Sequence, residues 1–600
     1  MQHQRRFLRL VWSLASSVTL VFLCVAPLLA VPLYQSSDEQ RVSTIQRIRE
    51  RGNILVAGVP YDFPPFGFED ADGNLTGFDI DLIKALAELW GVEVEIVKVT
   101  ADARIPLLVA GEIDIVAAAM THTQSREAII DFSQTYFVDG QSLLVRKASG
   151  INSLLDLGGK RVGAIHGTTS IQQIADNAEA KEIAIEIVPF AEYLPALDAL
   201  STQTIEALTS DQIALTEFAK SNSDFEVVGE SFSQEPYGFG VQAGDSQFRH
   251  LVDATLQQLK AKDKGGYDEI YAKWFSTLTP YPITILPGKW SYAFETAPNE
   301  FNFPKPSIVE PIQSERQFRA GILVDSPPLS VLDQSGKCCI GFGVDLIKEF
   351  AKRWTGDDTS VQFVPIASPE QTNNLTFDQW DIFVTSLPQT WELEAVMDFS
   401  QPYLYANYFA SGETNANAMI SFGLPTGDDQ FRDLINFTLQ AMVSDCSFQQ
   451  LHQKWFPDTT PYPIEIWPGK PADPFIWNMV QSTINICPEI QTIATVDTST
   501  SVSPSATMSL STIISTTTIM VTETQSIATV VTTTLTPMAS LQLTSDEQIA
   551  DVAAIDLPPQ DYPKAGMSMY SYHFLPFVIL LIVALFSSAI YQKQQQKIKK

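Results

Sequence analysis

The sequence is poor in positive charge, in histidine and in cysteine. Its 38 Lys and Arg face 69 Asp and Glu, for a formal net charge of −31. A polyanion of that size repels DNA phosphates and anionic headgroups, so nucleic acid is excluded as a natural partner. The 6 histidines and 5 cysteines show no metal-ligand spacing, and no cofactor or metal is expected. Cys338 and Cys339 are adjacent and are expected to pair elsewhere, with Cys446 and Cys487 as candidates and no assignable connectivity. Neither paired acid/base carboxylates nor a nucleophile motif stands in a credible setting, so an enzyme is not expected.

Two apolar runs organise the chain ends. The first, about Leu10 to Val31, follows Arg5, Arg6 and Arg9. It makes residues 1–31 a signal peptide or an uncleaved membrane anchor, with Ala30 a mediocre cleavage site. The second, Tyr572 to Tyr591, is long enough to cross ~30 Å of hydrocarbon as a transmembrane helix. Lys593, Lys597, Lys599 and Lys600 follow in a basic tail, 592–600. The positive-inside rule puts that tail in the cytoplasm and the intervening residues on the extracytoplasmic side of the cell membrane.

Between the runs, strand and helix patterns alternate. Ile54–Val59 reads as a buried strand, Ile80–Trp90 as an amphipathic helix, and Ile113–Ala118 as a central strand of a parallel sheet. The rhythm continues through Leu143–Val145, Val162–Ile165, Ile183–Val188 and Ile205–Leu208. Such alternation predicts α/β sheets, whose ligands sit beyond the carboxyl ends of the strands.

The chain also repeats itself. GFDIDLIKAL at Gly77–Leu86 returns as GFGVDLIKEF at Gly341–Phe350, and DFSQTY at Asp131–Tyr136 as DFSQPY at Asp398–Tyr403. GDSQFR at Gly244–Arg249 returns at Gly427–Arg432, and TPYPITILPGK at Thr279–Lys289 as TPYPIEIWPGK at Thr460–Lys470. The offset is 264 to 267 residues early in the repeat and 181 to 183 late in it, so the second copy lacks about 84 residues. The gap falls opposite about 141–235, the size of one whole lobe. Beyond residue 491 Thr and Ser dominate, and an acidic stretch follows; 491–571 reads as a stalk that cannot bury enough apolar surface to fold.

A free amino acid needs donors for its carboxylate, an acceptor for its ammonium and a pocket for its side chain. The stretch Ala117–Arg126 follows the end of the Ile113–Ala118 strand and supplies an arginine suited to a carboxylate. With the GFDIDL turn, the Arg104–Asp114 run, the MTHTQSR…DFSQTY block and GAIHGTTS at Gly163–Ser170, nearly the whole first copy resembles the extracellular (periplasmic-type) solute-binding proteins of family 3. These are polar amino-acid binding proteins of ABC transporters.

The resemblance implies the two-lobe periplasmic-binding-protein fold (type II), with a two-stranded hinge closing over the ligand. Residues 45–290 would form this domain, lobe 1 being about 45–140 and 236–280 and lobe 2 about 141–235. By the same resemblance Arg126 grips the α-carboxylate and Thr121 offers hydroxyl and backbone donors. Ala119 gives its carbonyl to the ammonium, Thr169 adds the lobe 2 contribution, and Asp211 pairs with the ammonium. Phe63 walls the ligand, and Arg104 tilts the choice toward glutamate or aspartate. Thr121, Thr169 and Asp211 also suit helix capping. Asp79 and Asp81 read as caps, and His122 and His166 as polar loop residues.

The second copy, 316–470, places Leu393 opposite Arg126, Pro388 opposite Thr121 and Ser326 opposite Phe63. It keeps fold signals without ligand signals. It is expected to be a degenerate single-lobe α/β domain, either a spacer or a protein-contact surface. The function expected of the whole is a membrane-tethered receptor delivering an amino acid to an ABC transporter permease. The alternative is an extracytoplasmic amino-acid sensor, which would need a separate signalling partner.

Overall fold

The computed structural model describes residues 42–288 and, with short interruptions, 307–472, together with Phe294, Ile476, Met479 and Val480. The expected leader or anchor (1–31), stalk (491–571), span (572–591) and tail (592–600) lie outside the described residues. Among those described, no helix is long and apolar enough to cross a membrane.

The first copy forms two five-stranded sheets. In one, the strands run Glu93–Lys98, Ile54–Val59, Ile115–Val116, Gly240–Gln242, Ile130–Phe132. The first three are parallel, and Gly240–Gln242 is antiparallel to both its neighbours. In the other the order is Glu186–Phe190, Arg161–Ile165, Ala207–Asp211, Gln141–Arg146, Phe225–Val228, with Gln141–Arg146 antiparallel to its neighbours. The chain passes between them along Phe137–Asp139 and returns along Glu235–Tyr237, two strands paired antiparallel in a short ladder. Ladder pairing within the expected Ile113–Ala118 strand is confined to Ile115–Val116. Asp114 N–H donating to Val56 O and Ala117 N–H donating to Gly58 O extend the contact on either side.

The second copy's described residues form one five-stranded sheet: Val361–Ile366, Phe318–Leu323, Ile382–Val384, Gly423–Leu424, Asp398–Phe399. Its counterpart of the connecting ladder is Leu404–Tyr405 paired with Met419–Ile420. Between those short strands stand 407–417, where the first copy carries its entire second sheet.

The copies share local devices because they share sequence. The helix Phe78–Trp90 turns its apolar stripe inward and stops at left-handed Gly91, and Phe342–Thr355 does the same at Gly356. Trp90 Nε1 donates to Thr255 Oγ1 at 2.7 Å, and Trp354 Nε1 to Thr438 Oγ1 at 2.9 Å. Each helix starts after a glycine with φ 150°, Gly77 or Gly341. A Cβ would stand 2.1 Å from Phe66 O in one copy and from Leu329 O in the other. Both the φ and the contact exclude any other residue. Gly77→Ala is therefore expected to cost about 2–4 kcal/mol. Chemical denaturation should show a lowered midpoint, and an unchanged midpoint would refute the steric account.

Asp79 and Asp81 are not the caps their position suggests, because glycine already fills the N-cap. The buried Asp79 carboxylate accepts the Ala119 N–H at 2.6 Å and the Tyr136 hydroxyl at 2.9 Å. Burial pushes its pKa up to about 7. Asp81 takes Lys273 Nζ and Trp274 Nε1, as Asp345 takes Lys454 and Trp455 in the second copy.

Candidate functional site

One cavity lies where the two sheets of the first copy face each other. Phe63, Arg104, Ala119, Thr121, Thr169 and Asp211 all line it. They come from five separate strand ends, loops and helix starts, and folding brings them together across more than 140 positions of sequence.

The loop after Ile115–Val116 supplies the centre. Ala119 adopts φ +42°, an unusual conformation for a residue with a Cβ, held by its N–H on Asp79. Thr121 pairs with Tyr237 in an isolated antiparallel bridge, and Thr123, not Thr121, caps the short helix Gln124–Glu127. Arg126 is buried beside Thr121. Its Nη1 donates to Thr121 O at 2.7 Å and its Nη2 to Gly167 O, on the other sheet's side, at 3.1 Å. Unlike the other six residues it is not part of the cavity lining. Two of its five N–H donors are engaged by those carbonyls. Burial, then the nearby Arg104 charge, lowers its pKa. The neighbouring carboxylates of Glu127 and Asp131 turn to Arg432.

Arg104 opens the helix Arg104–Ala110 and donates from Nη1 to Ala118 O at 2.6 Å. Thr169 and Asp211 occupy N-cap positions, yet neither side chain makes a cap bond. Thr169 Oγ1 donates instead to Glu235 at 2.8 Å. The Asp211 carboxylate accepts from Gln141 Nε2 and from the Tyr237 hydroxyl. Phe63 packs against Phe66 and Tyr193, ring centroids 5.7 and 5.2 Å away.

Several lining or supporting residues carried no signal in the sequence. Glu235 and Tyr237 sit on the connecting strand Glu235–Tyr237, outside every motif. Tyr193 donates its N–H to Asp62 at 3.0 Å, and its hydroxyl lies 2.7 Å from Ser210 Oγ. Asp62 adjoins Phe63, so the YDFPPF stretch held the one available clue. The buried Asp211 and Glu235 and the half-buried Asp139 form a carboxyl cluster. Burial raises all three pKa values, Asp139 to about 7, and the neighbouring carboxylates push Asp211 further up. The site thus combines two buried guanidinium groups with an acidic cluster that holds protons tightly.

Of the two histidines expected in polar loops, His166 fits, half exposed and 3.7 Å from Asp102. His122 does not. It is buried between the Phe132 ring at 4.3 Å and the Trp467 ring of the second copy at 3.7 Å. Among the described residues no group of His, Cys, Asp and Glu is placed to hold a metal ion.

The model of bacterial extracellular solute-binding proteins, family 3, matches residues 55–277 and again 318–458. The chain belongs to that family. A glutamine-binding protein of an ABC transporter from Bacillus subtilis (strain 168) is 38% identical over 245 residues, 40% of this chain and 87% of the relative. A glutamine-binding protein from Geobacillus stearothermophilus is 41% identical over 203 residues, 33% of this chain and 76% of the relative. Among solved structures, the holo form of ArgBP from T. maritima is 35% identical, covers 38% of this chain and 98% of its own, and gives a TM-score of 0.34. The family-3 match falls on both copies, so the second copy is a true repeat of the first.

Proposed function

We propose that the first copy of this family-3 protein captures a free amino acid in the cavity between its two sheets and delivers it to an ABC importer. The observation that carries the proposal is the set of polar groups gathered in one cavity: Arg104, Asp211, Thr121 and Thr169 line it, with Arg126 buried behind Thr121 and Glu235 behind Thr169. A zwitterion complements that arrangement. Arg126 and Thr121 take its carboxylate, Asp211 and the Ala119 carbonyl its ammonium, and Phe63 and Tyr193 flank its side chain.

Arg104 favours a side chain ending in a carboxylate, hence glutamate or aspartate. Asp62, also in the lining, offers an acceptor that suits an amide, and the glutamine-binding relatives favour glutamine as the second reading. The apolar run Tyr572–Tyr591 and the lysines after it tether the domain to the membrane in this reading, with the tail cytoplasmic. Tethering raises its concentration near a permease.

Calorimetric titration of the protein with the twenty amino acids tests the proposal. One or a few ligands, glutamate, aspartate or glutamine among them, are expected to bind with Kd of about 1 μM or below, on the order of −8 kcal/mol. Failure to bind any amino acid would end this reading.

A further inference from the structure

The second copy packs on the first in a pseudo-symmetric manner that follows the repeat itself. Arg432 reaches Asp131 at 2.9 Å and Glu127 at 3.2 Å. Its repeat counterpart, Arg249, reaches Asp398, the counterpart of Asp131, at 3.1 Å. Backbone contacts obey the same exchange: Gln124 N–H donates to Pro468 O at 3.1 Å, and Trp391 N–H to Pro287 O at 3.2 Å. A contact of residue i with j accompanied by one of j's counterpart with i's counterpart is the mark of a two-fold interface. The same face of the fold has thus been used twice, once from each copy, within a single chain.

On the first copy that face is the back of the ligand loop. Thr121 lines the cavity while the next residue, His122, is stacked on Trp467. The antiparallel bridge at Thr121 makes the backbone extended there, so successive side chains leave on opposite sides. Gln124 donates to Gln440 Oε1 at 2.8 Å, and that same oxygen accepts the Trp467 N–H at 3.0 Å. Glu127, next to Arg126, is held by Arg432. The loop thus presents Ala119 and Thr121 to the cavity and His122, Gln124 and Glu127 to the second copy.

The symmetry breaks in a way that gives the interface a direction. Opposite Trp467 the first copy has Leu286, and opposite His122 the second has Gln389, so the aromatic clamp exists only on the loop that bears Arg126. The second copy's own loop keeps its cap, Thr390 accepting the Leu393 N–H, but has Leu393 for the arginine and Gly343 for Asp79.

We infer that the second copy is a built-in pairing partner that braces the Ala119–Glu127 loop, with Trp467, Arg432 and Gln440 as positioning residues for Arg126 and Thr121. The affinity consequence rests on the amino-acid reading above; the bracing itself does not. Rigid support of this kind lowers the ordering cost of binding.

The test is hydrogen exchange, measured by mass spectrometry on the ligand-free full chain. Trp467→Leu, which supplies the residue its counterpart position already uses, and Arg432→Gln should each speed exchange in peptides covering 119–127 by about tenfold or more. Exchange in the strand Phe225–Val228, at the outer edge of the other sheet and outside the cavity lining, should stay at the wild-type rate, showing that the fold is intact. Arg249→Gln, which removes the mirror contact to Asp398 while leaving Arg432 on Asp131 and Glu127, should leave 119–127 within about threefold of wild type. Unchanged exchange at 119–127 in the first two variants, or equal loosening in Arg249→Gln, would overturn the inference. In the same proteins the two bracing variants should weaken amino-acid binding about tenfold, largely through faster release. If the wild-type chain binds no amino acid, the proposed ligand falls while the exchange rates still decide the brace.

Discussion

Replacing Arg126 by alanine is expected to weaken amino-acid binding by about 10²- to 10³-fold, the loss typical of truncating one partner of a buried charge-assisted contact. Two effects add. The ligand carboxylate loses its guanidinium, and the Thr121 and Gly167 carbonyls lose the donors that now satisfy them. Because Gly167 belongs to the second sheet's side, Arg126 also fastens the two halves of the cavity to each other. Arg126→Lys keeps the charge but has no planar fork to serve two carbonyls and a carboxylate at once, so a loss of about 10- to 100-fold is expected. Calorimetry and denaturation together separate the roles. Binding that survives Arg126→Ala would show that the carboxylate is held elsewhere, Arg104 being the next donor in the cavity. Binding lost together with cooperative unfolding would reduce Arg126 to a structural bolt.

The interface between the copies carries a smaller, pH-dependent effect. His250 is buried between Glu394 at 2.7 Å and Asp398 at 3.1 Å. Burial alone would lower its pKa, but these carboxylates outweigh it and raise it to about 9, against the charge of Arg249. The folded value is above the unfolded one of about 6.5, so the stabilisation is complete below pH 6.5 and is lost as pH rises through about 9. Thermal unfolding between pH 7 and 10 should show a declining midpoint that flattens in His250→Gln. A parallel decline in that variant would assign the effect to other groups.

The sequence carried the parts of this fold that repeat and little of what depends on one-time encounters. Period and apolar runs marked Phe78–Trp90 and Ile54–Val59, because each buries one face of one element. The cavity lining was legible where a motif carried it, as at Thr121 and Thr169, while Arg126 is buried behind Thr121 and outside the lining. Glu235, Tyr237 and Tyr193 were invisible, since each reaches the cavity only when the chain returns from elsewhere. The capping aspartate pattern misled for a physical reason. Gly77 and Gly341 already start their helices with a φ that only glycine tolerates, which frees Asp79 to support Ala119 forty residues away. His122 looked like a loop residue because the ring that covers it, Trp467, lies 345 positions along the chain.

Asp211 gives the second large effect and the sharper chemical test. In the ligand-free protein its carboxyl group is buried and faces Glu235 and Asp139, so its pKa is raised well above the ordinary carboxyl value. A group that holds its proton more firmly folded than unfolded lowers stability as pH climbs from about 4 toward the folded value. Asp211→Asn removes that penalty, and the ligand-free variant is expected to be more stable than wild type in mildly alkaline solution, with the difference shrinking as pH falls. Binding moves the other way. An ammonium pairs with the ionised carboxylate, so the wild-type protein must release a proton to bind, and its affinity should fall as pH drops below the folded pKa. Asp211→Asn should lose about 10²-fold in affinity where the wild-type carboxyl group ionises on binding, with the gap to wild type narrowing as pH falls. Calorimetry in buffers of different ionisation enthalpy reads the released proton directly. A wild-type affinity that does not change with pH, or an Asn variant that binds as well as wild type, would place the ammonium on another partner, Glu235 being the nearest carboxyl group in the same cluster. A variant less stable and weaker at every pH would instead make Asp211 the support of Gln141 and Tyr237, with the ligand resting on those two side chains.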